Sequence, residues 1–505
     1  MEDKYIVSID FGTFKLALSV AIVSGNETRV VYYKETPVEG MRCSRILNEA
    51  KVAQHLKKAI SDAEDILGIK ITGAVAGMPR FYVRTVDDSA KNETRDGESY
   101  ITEAEIEELK SFAQDNFPLE NPEREAVYGT IAQSFSTNDE FQLIEDDIVG
   151  MTGKVLEGNF KIFIGNKSSL DRIDRVMKLA GVVSVKKYFV PQLTANAVLF
   201  PAEMDNGVAM IDFGGGCTSV SIYYKNVLRH YASIPFGGIN VTKDIQMESN
   251  IKTALAENIK MAYGACMPEK LQSLSEKQLL IKSENGESDK RMTVKYLSEI
   301  ITARETEIIR AMLYEIGVSK FADKLQSGIV ITGGGASMAN LGNLIKEISG
   351  YNVRVGRPTF KGIYNCCTGD NAPSAATSIG LIKSAASEIP FTCASPKDTI
   401  QQEEQSEAET HSSGEPTEQE HKTGTIPGMM TEDELAEIQK REKESKEKEM
   451  KELEKKIRAE EKKKKEKKTP AWIAWVHNKF DTMGKGLQDA SDNLLDSIQE
   501  SERDE

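Results

Sequence analysis

Two aspartates and three glycine-bearing loops stand where they could hold a polyphosphate. The sequence reads IVSIDFGTFK over 6–15, VAMIDFGGGC over 208–217 and GIVITGGGASM over 328–338. In the first two, an apolar run ends in Asp-Phe-Gly, with Asp10 and Asp212 in equivalent places, and a second apolar run follows at 16–23 and 220–224. This pattern predicts a β-hairpin with a glycine-rich tip, twice, about two hundred residues apart. Glycine at a tip lets backbone N–H groups approach a phosphate with no side chain in the way. A carboxylate at each tip can hold a hydrated divalent cation beside those phosphates. Each loop alone reads more readily as an ordinary turn than as a phosphate site. Three in this order, each at a strand end, point to a nucleotide clamp. A GxxxxGK[ST] loop is absent, and the glycines at 214–216 lead into a strand rather than a helix, which argues against Walker and Rossmann sites.

The elements that must position these loops read as an α/β chain. Over 4–38 the runs YIVSID, KLALSVAIV and TRVVYYKE predict three strands. Apolar residues at helical spacing predict a helix over 44–67, and 71–78 returns to a strand ending at Gly77-Met78-Pro79. Residues 84–163 interrupt this order. A polar stretch (DDSAKNETRDGES) leads to a helix over 102–116, where Thr102 and Glu105 form a capping box. Two strand-like runs follow, REAVYGTIAQSF and GMTGKVLEGNFKIFIG, and the whole reads as an inserted subdomain. Helices are then predicted over 168–179 and 192–200, with VKKYFVP between them as a strand. The second half runs from Gly207 to about Glu388, with helices over 251–263, 293–316 and 373–386 and strand-like LQSLS, QLLIK and VRVGRP runs.

With 505 residues there is room for two to four domains. The net charge of −15 argues against general nucleic-acid binding. Six cysteines lie scattered without a CxxC pair, which suits a reduced, cytoplasmic setting. The N-terminus lacks a basic-then-apolar signal pattern, and no run of eighteen apolar residues occurs.

The tail differs in composition. Residues 401–421 carry seven glutamates and no Lys or Arg, as a disordered linker would. Residues 431–468, dense in Glu and Lys, suit a solvated helix. From Thr469, TPAWIAWVHNKF holds both tryptophans of the chain, and Trp472, Val476 and Phe480 lie on one helical stripe that Ile473 and Trp475 widen. Preceded by EEKKKKEKK, this segment predicts docking on an anionic membrane surface; burying one tryptophan there would contribute on the order of 2 kcal/mol. The alternative is a helix that packs on the core or on a partner helix.

The clamp resembles that of the actin/heat-shock-chaperone/sugar-kinase ATPase superfamily. Within it, residues 4–388 are similar to the FtsA family of bacterial cell-division proteins. The likeness rests on VEGMR (38–42), the insertion at 84–163, IDFGGGCTSVSIYY (211–224), LRHYASIPFGGINVTKDI (228–245), GIVITGGGASMANL (328–341) and VRVGRP (353–358), and it returns at the C-terminal helix. The resemblance implies an actin-like ATPase of two duplicated, ribonuclease-H-like halves. It also implies an inserted SHS2-like subdomain 1C and a disordered tail ending in an amphipathic helix. Its subdomains would be 1A (1–83, 164–204 and the C-terminal helix 373–388), 1C (84–163), 2A (205–238 and 325–372) and 2B (239–324). A disordered acidic linker (389–430), the charged segment 431–468 and the membrane-targeting segment 469–505 would follow. The implied function is an ATP-binding adaptor that polymerises into actin-like filaments, anchors FtsZ filaments to the cytoplasmic face of the cell membrane at the septum, and recruits later division proteins through 1C. Slow ATP turnover would serve mainly to switch the polymer state.

By that resemblance Asp10 and Asp212 hold Mg2+ through waters, while Gly12, Thr13, Gly214, Gly215, Gly216 and Cys217 surround the phosphates. Gly333, Gly334, Gly335 and Ser337 border the adenosine, and Glu257 and Lys260 reach the ribose and adenine; the alternative for the last two is a surface i,i+3 ion pair. Lys15 reaches a phosphate or is simply an exposed strand lysine. Gln192 orients the attacking water or is only a polar residue at a helix start. Arg304, with Glu307 one turn on, contacts the FtsZ C-terminal tail or belongs to a solvated helix face. Two departures from the pattern bear on hydrolysis: Phe14 replaces a small residue, and Cys217-Thr218-Ser219 stands where Thr-x-Asp is usual. A PilM-type pilus-assembly homologue shares the fold but not a Trp-rich C-terminal helix. A chaperone would need a substrate domain after 388, and a sugar kinase a carboxylate base with a substrate pocket.

Overall fold

Both Asp-Phe-Gly hairpins form, and each seeds a sheet of the same strand order. The computed structural model describes residues 3–25, 27–92, 99–138, 140–281, 290–359, 363–365 and 372–397. In the first hairpin, Lys4–Phe11 pairs antiparallel with Lys15–Ser24, and Asp10 faces Ala17. In the second, Val208–Phe213 pairs with Thr218–Tyr224, and Asp212 faces Ser219. The registers match, so the two tips have equal length. Each hairpin adds a third antiparallel strand, Glu27–Pro37 or Val227–Ile234. On the other side of each first strand lie two parallel ones: Gly73–Gly77 then Val183–Tyr188, and Ile329–Thr332 then Val353–Val355. The first sheet gains Ile363–Asn365 at its outer edge.

Burial on both faces explains the continuous apolar runs of the central strands. Helices Glu49–Leu67 and Lys167–Leu179 cover one face of the first sheet, and Val190–Val198 and Ala376–Glu388 cover the other. Val294–Val318 packs over the second sheet.

Between Gly77 and Val183 stands a separate antiparallel sheet of Arg84–Asn92, Leu156–Asn166 and Glu125–Ser136. Helix Glu103–Asp115 lies on it, capped by the reciprocal Thr102–Glu105 bonds, and Ile106, Leu109, Phe135, Leu156, Phe160 and Ile162 form a core of its own. Its strand Glu125–Ser136 also touches the second half: Gln133 Nε2 donates to the Leu228 carbonyl at 3.0 Å, and Arg229 Nη1 donates to the Gln133 carbonyl at 2.7 Å.

Several local readings change. The first helix starts at Glu49, not Ser44, because Asn48 caps it and 41–46 forms a small hairpin of Met41–Arg42 and Arg45–Ile46. The polar stretch after 84 opens as a strand, Arg84–Asn92, since pairing with Leu156–Asn166 satisfies its backbone whatever its side chains. The LQSLS run holds a 3-10 turn, Gln272–Leu274, rather than a strand. The helix expected at 192–200 is Val190–Val198, and a helix not foreseen, Gly238–Ser249, precedes Thr253–Tyr263. Order also continues past 389, where the linker was expected to begin. Ala394–Pro396 pairs with Ile69–Ile71 because Cys393 and Ala394 are buried in the first core. The rest of the tail, with Trp472, Ile473, Trp475, Val476 and Phe480, lies outside the described residues. Among the described residues no helix is long and apolar enough to cross a membrane.

Candidate functional site

The two hairpin tips meet. A Cβ on Gly216 would stand 2.5 Å from the Thr13 hydroxyl, and one on Gly215 would stand 2.6 Å from the Phe14 ring. Glycine at 215 and 216 is therefore what lets the second tip close on the first. The second tip is braced from behind, since the Gly214 carbonyl accepts from the Gly238 N–H at 3.0 Å and the Gly215 carbonyl from the Ile239 N–H at 2.8 Å. The Cys217 thiol is enclosed there, and burial pushes it up to about 12, so it stays protonated at neutral pH.

Arg80, a residue the sequence reading passed over, joins the two aspartates. Its Nη2 donates to both Asp10 carboxylate oxygens at 3.2 Å and to Thr377 Oγ1 at 2.6 Å, and its Nη1 stands 3.5 Å from Asp212 Oδ2. The three side chains are 13%, 15% and 7% exposed in the order Arg80, Asp10, Asp212. Tyr231, from the second half, donates its hydroxyl to the Arg80 carbonyl and packs edge-on against Phe163 and Phe189. Burial opposes the guanidinium charge, yet the carboxylates of Asp10 and Asp212 hold Arg80 above its ordinary value. Burial pushes the Asp212 carboxyl up, Arg80 pulls it back, and Asp10 raises it again. Asp212 Oδ1 and Arg80 Nε are buried with no hydrogen-bond partner.

A signal for Arg80 existed in the duplication. Ile9 lies beside Ala76 and Ile211 beside Ile331, so the turn after Gly77 in the first half is the equivalent of the third glycine loop in the second. In that loop Gly333 has φ +83, and a Cβ there would stand 2.2 Å from Asp212 Oδ1. Gly334 and Ser337 are exposed. Gly335 abuts Phe213, to which an added Cβ would come within 2.8 Å.

Glu257 and Lys260 do not form a surface pair. Lys260 is buried, and its Nζ reaches Glu257 Oε2 at 2.7 Å, Thr242 Oγ1 at 2.9 Å and the Gly238 carbonyl at 3.1 Å. The unforeseen helix Gly238–Ser249 supplies the last two partners, so Lys260 buttresses the segment that braces the second tip. Glu305 lies close behind, buried with Oε2 unpartnered; burial pushes its carboxyl up to about 7 against the pull of Lys260 and Arg304. A carboxyl raised in the folded state contributes stability that is full below its ordinary range and is lost as pH rises through about 7. Glu305→Gln is thus expected to flatten the rise in melting temperature between pH 8 and pH 5 and to melt higher than the unaltered chain at pH 8. Parallel pH curves in differential scanning fluorimetry would refute this.

A family model described as Cell division protein FtsA matches residues 209–380, from the second hairpin to the last helix. The chain is 28% identical over 388 residues to the Cell division protein FtsA of Neisseria meningitidis, covering 76% of this chain and 91% of that protein. Its identity to the FtsA of Enterococcus hirae is 30% over 362 residues, covering 71% and 79% respectively. The chain belongs to the FtsA family. Among solved structures, a PilM-PilN type IV pilus biogenesis complex superposes with a TM-score of 0.52, covering 75% of this chain and 98% of the other at 14% identity. That likeness shows the actin-like fold and nothing about a pilus role.

Other expected FtsA-family site residues take less direct positions. Lys15 pairs with Glu35, which also accepts from Tyr33 at 2.6 Å and Ser374 at 2.8 Å. Gln192 is exposed in the first turn of Val190–Val198. From the same helix it is Thr194 that joins the cluster, 3.2 Å from Thr377 Oγ1. Arg304, half-buried, makes a fork to Asp244 at 2.6 and 3.0 Å and a bond at 2.5 Å to Glu307, which stays exposed on the helix face.

The donor set suits a magnesium ion held through water. Among the described residues no group of three or more His, Cys, Asp or Glu could ligate a metal directly. Two carboxylates leave most of an octahedral shell to waters and phosphate oxygens. Asp212 Oδ1, buried and unpartnered, is an acceptor such a water would satisfy.

Proposed function

We propose that this FtsA-family chain is an ATP-binding adaptor that assembles into actin-like filaments and ties FtsZ filaments to the cytoplasmic face of the membrane at the septum. The observation that carries the nucleotide reading is the convergence of Asp10 and Asp212 on one cation beneath touching glycine tips. Gly12, Thr13 and Gly214–Gly216 would donate backbone N–H groups to the phosphates, with Asp10 and Asp212 holding hydrated Mg2+ between the halves. Bound magnesium would neutralise phosphate charge. The protein's own part is to position the nucleotide and close the tips, and ATP acts chiefly as a polymerisation switch with turnover slow. Gln192 or Thr194 would orient water if turnover occurs.

The remaining roles rest on the family and on the tail sequence. The helices at 238–318, with Arg304 and Glu307, would receive the FtsZ tail, and the inserted sheet at 84–166 would serve self-association and later division proteins. The segment from Thr469, with Trp472, Ile473, Trp475, Val476 and Phe480 beside a basic run, would bind anionic lipid.

Sedimentation of FtsZ filaments with anionic liposomes and ATP tests the adaptor. The full chain is expected to carry FtsZ to the vesicles, and a chain ending at Lys468 to leave FtsZ in solution. Liposome binding without FtsZ would remove the adaptor role and leave an actin-like membrane protein. Absence of liposome binding by the full chain would refute the anchor.

A further inference from the structure

A buried guanidinium stands where the clamp would place a divalent cation. Arg80 binds a carboxylate from each half, and its Nη2 is anchored by Thr377 and its carbonyl by Tyr231. Asp10 and Asp212 belong to different sheets, so the Arg80 guanidinium bridges the two hairpins. A divalent ion brought to the same carboxylates would meet this charge at close range, with little water to screen it. A triphosphate brings the opposite charge, and guanidinium pairs with phosphate oxygens in a bidentate fork at least as well as with carboxylate.

We propose that Arg80 occupies the divalent-cation position of the nucleotide-free clamp and yields it only when phosphates draw its guanidinium off Asp10 and Asp212, so that metal enters after ATP. This rests on the nucleotide reading above and assigns Arg80 two tasks. Without ATP it excludes the metal and latches the halves. With ATP it pairs with the phosphate chain, which lets the nucleotide bind before any metal is present. The position fits both tasks: the turn carrying Arg80 is the counterpart of the third glycine loop, so its side chain enters the clamp from the side opposite Gly333.

The test uses the full chain, Mn2+ as the metal probe and a fluorescent ATP analogue. Free Mn2+ is followed by its electron paramagnetic resonance signal, and nucleotide by anisotropy. The unaltered chain is expected to bind no Mn2+ without nucleotide and to keep analogue affinity in EDTA within about tenfold of its value with Mg2+, about 1.4 kcal/mol. Arg80→Met is expected to reverse both: Mn2+ binds without nucleotide, and EDTA weakens the analogue by 100-fold or more. Thr377→Val, which keeps the charge and frees its anchor, is expected to fall between them and guards against an Arg80→Met chain that does not fold. Equal Mn2+ binding and equal EDTA sensitivity in all three would overturn the proposal while leaving the ATP clamp intact. An unaltered chain that binds no nucleotide, with or without metal, would overturn both.

Discussion

Gly333→Ala is expected to cost the chain both fold stability and nucleotide binding. The backbone at 333 has φ +83 and ψ 173, a region open to glycine almost alone, and another residue there costs about 1–3 kcal/mol. The added Cβ would also stand 2.2 Å from Asp212 Oδ1 and 2.7 Å from the Phe213 carbonyl. Neither atom can withdraw, because Phe213 is buried in the strand Val208–Phe213 and the Asp212 carboxylate is enclosed. Forcing a methyl into such a space adds roughly another 1–3 kcal/mol. The sum predicts a melting temperature lower by about 5 °C or more, and the displaced Asp212 predicts loss of ATP binding. Gly334→Ala is the control, since a Cβ there meets nothing within 4 Å, and it should stay within about 0.5 kcal/mol of the unaltered chain. Calorimetry and nucleotide titration of the two variants check this. A Gly333→Ala chain with normal melting and normal ATP affinity would mean that the third loop does not close on Asp212 as described.

Asp212→Asn is expected to separate stability from function. Burial raises the Asp212 carboxyl, Arg80 lowers it and Asp10 raises it again, with the balance upward. Folding therefore disfavours the carboxylate. The stability this group contributes is full below the ordinary carboxylate range and lost as pH rises through its raised value. At pH 7 the amide removes that cost, while Asp10 still accepts from Arg80. The nucleotide-free variant should therefore melt at or above the unaltered chain. Affinity for ATP with Mg2+ should fall roughly 10- to 100-fold, the range expected for losing a hydrogen bond to a charged group, and ATP-dependent polymerisation should fail. Unchanged affinity and polymerisation would remove Asp212 from the clamp.

The two variants differ because Gly333 and Asp212 act through different physics. One position is fixed by space, where a single methyl has nowhere to go. The other is fixed by charge, where the fold accepts a burial penalty that Arg80 offsets in part and that a bound cation would relieve further. Placing an under-satisfied carboxylate beside an arginine is costly for a static core and useful for a site that exchanges cations.

The duplicated hairpins, the three glycine loops and the capped helix after Thr102 were legible in the sequence because each depends on neighbours within a few residues. Alternating or continuous apolar runs set the strands, glycine sets the tips, and Thr102 with Glu105 sets a helix start. Family likeness was legible for the same reason, since it is carried by those short segments. What tertiary structure alone decided is which side chains meet. Arg80 follows an unremarkable Gly-Met-Pro, yet parallel pairing of Gly73–Gly77 with Lys4–Phe11 delivers it to Asp10, and the second sheet brings Asp212 to it. Lys260 changes from a plausible surface lysine to a buried brace once Gly238–Ser249 packs beside it, and Lys15 turns to Glu35 on the neighbouring strand. A charged side chain takes the partner that desolvates with it, and that partner is chosen by sheet order and helix packing across hundreds of residues rather than by spacing along the chain.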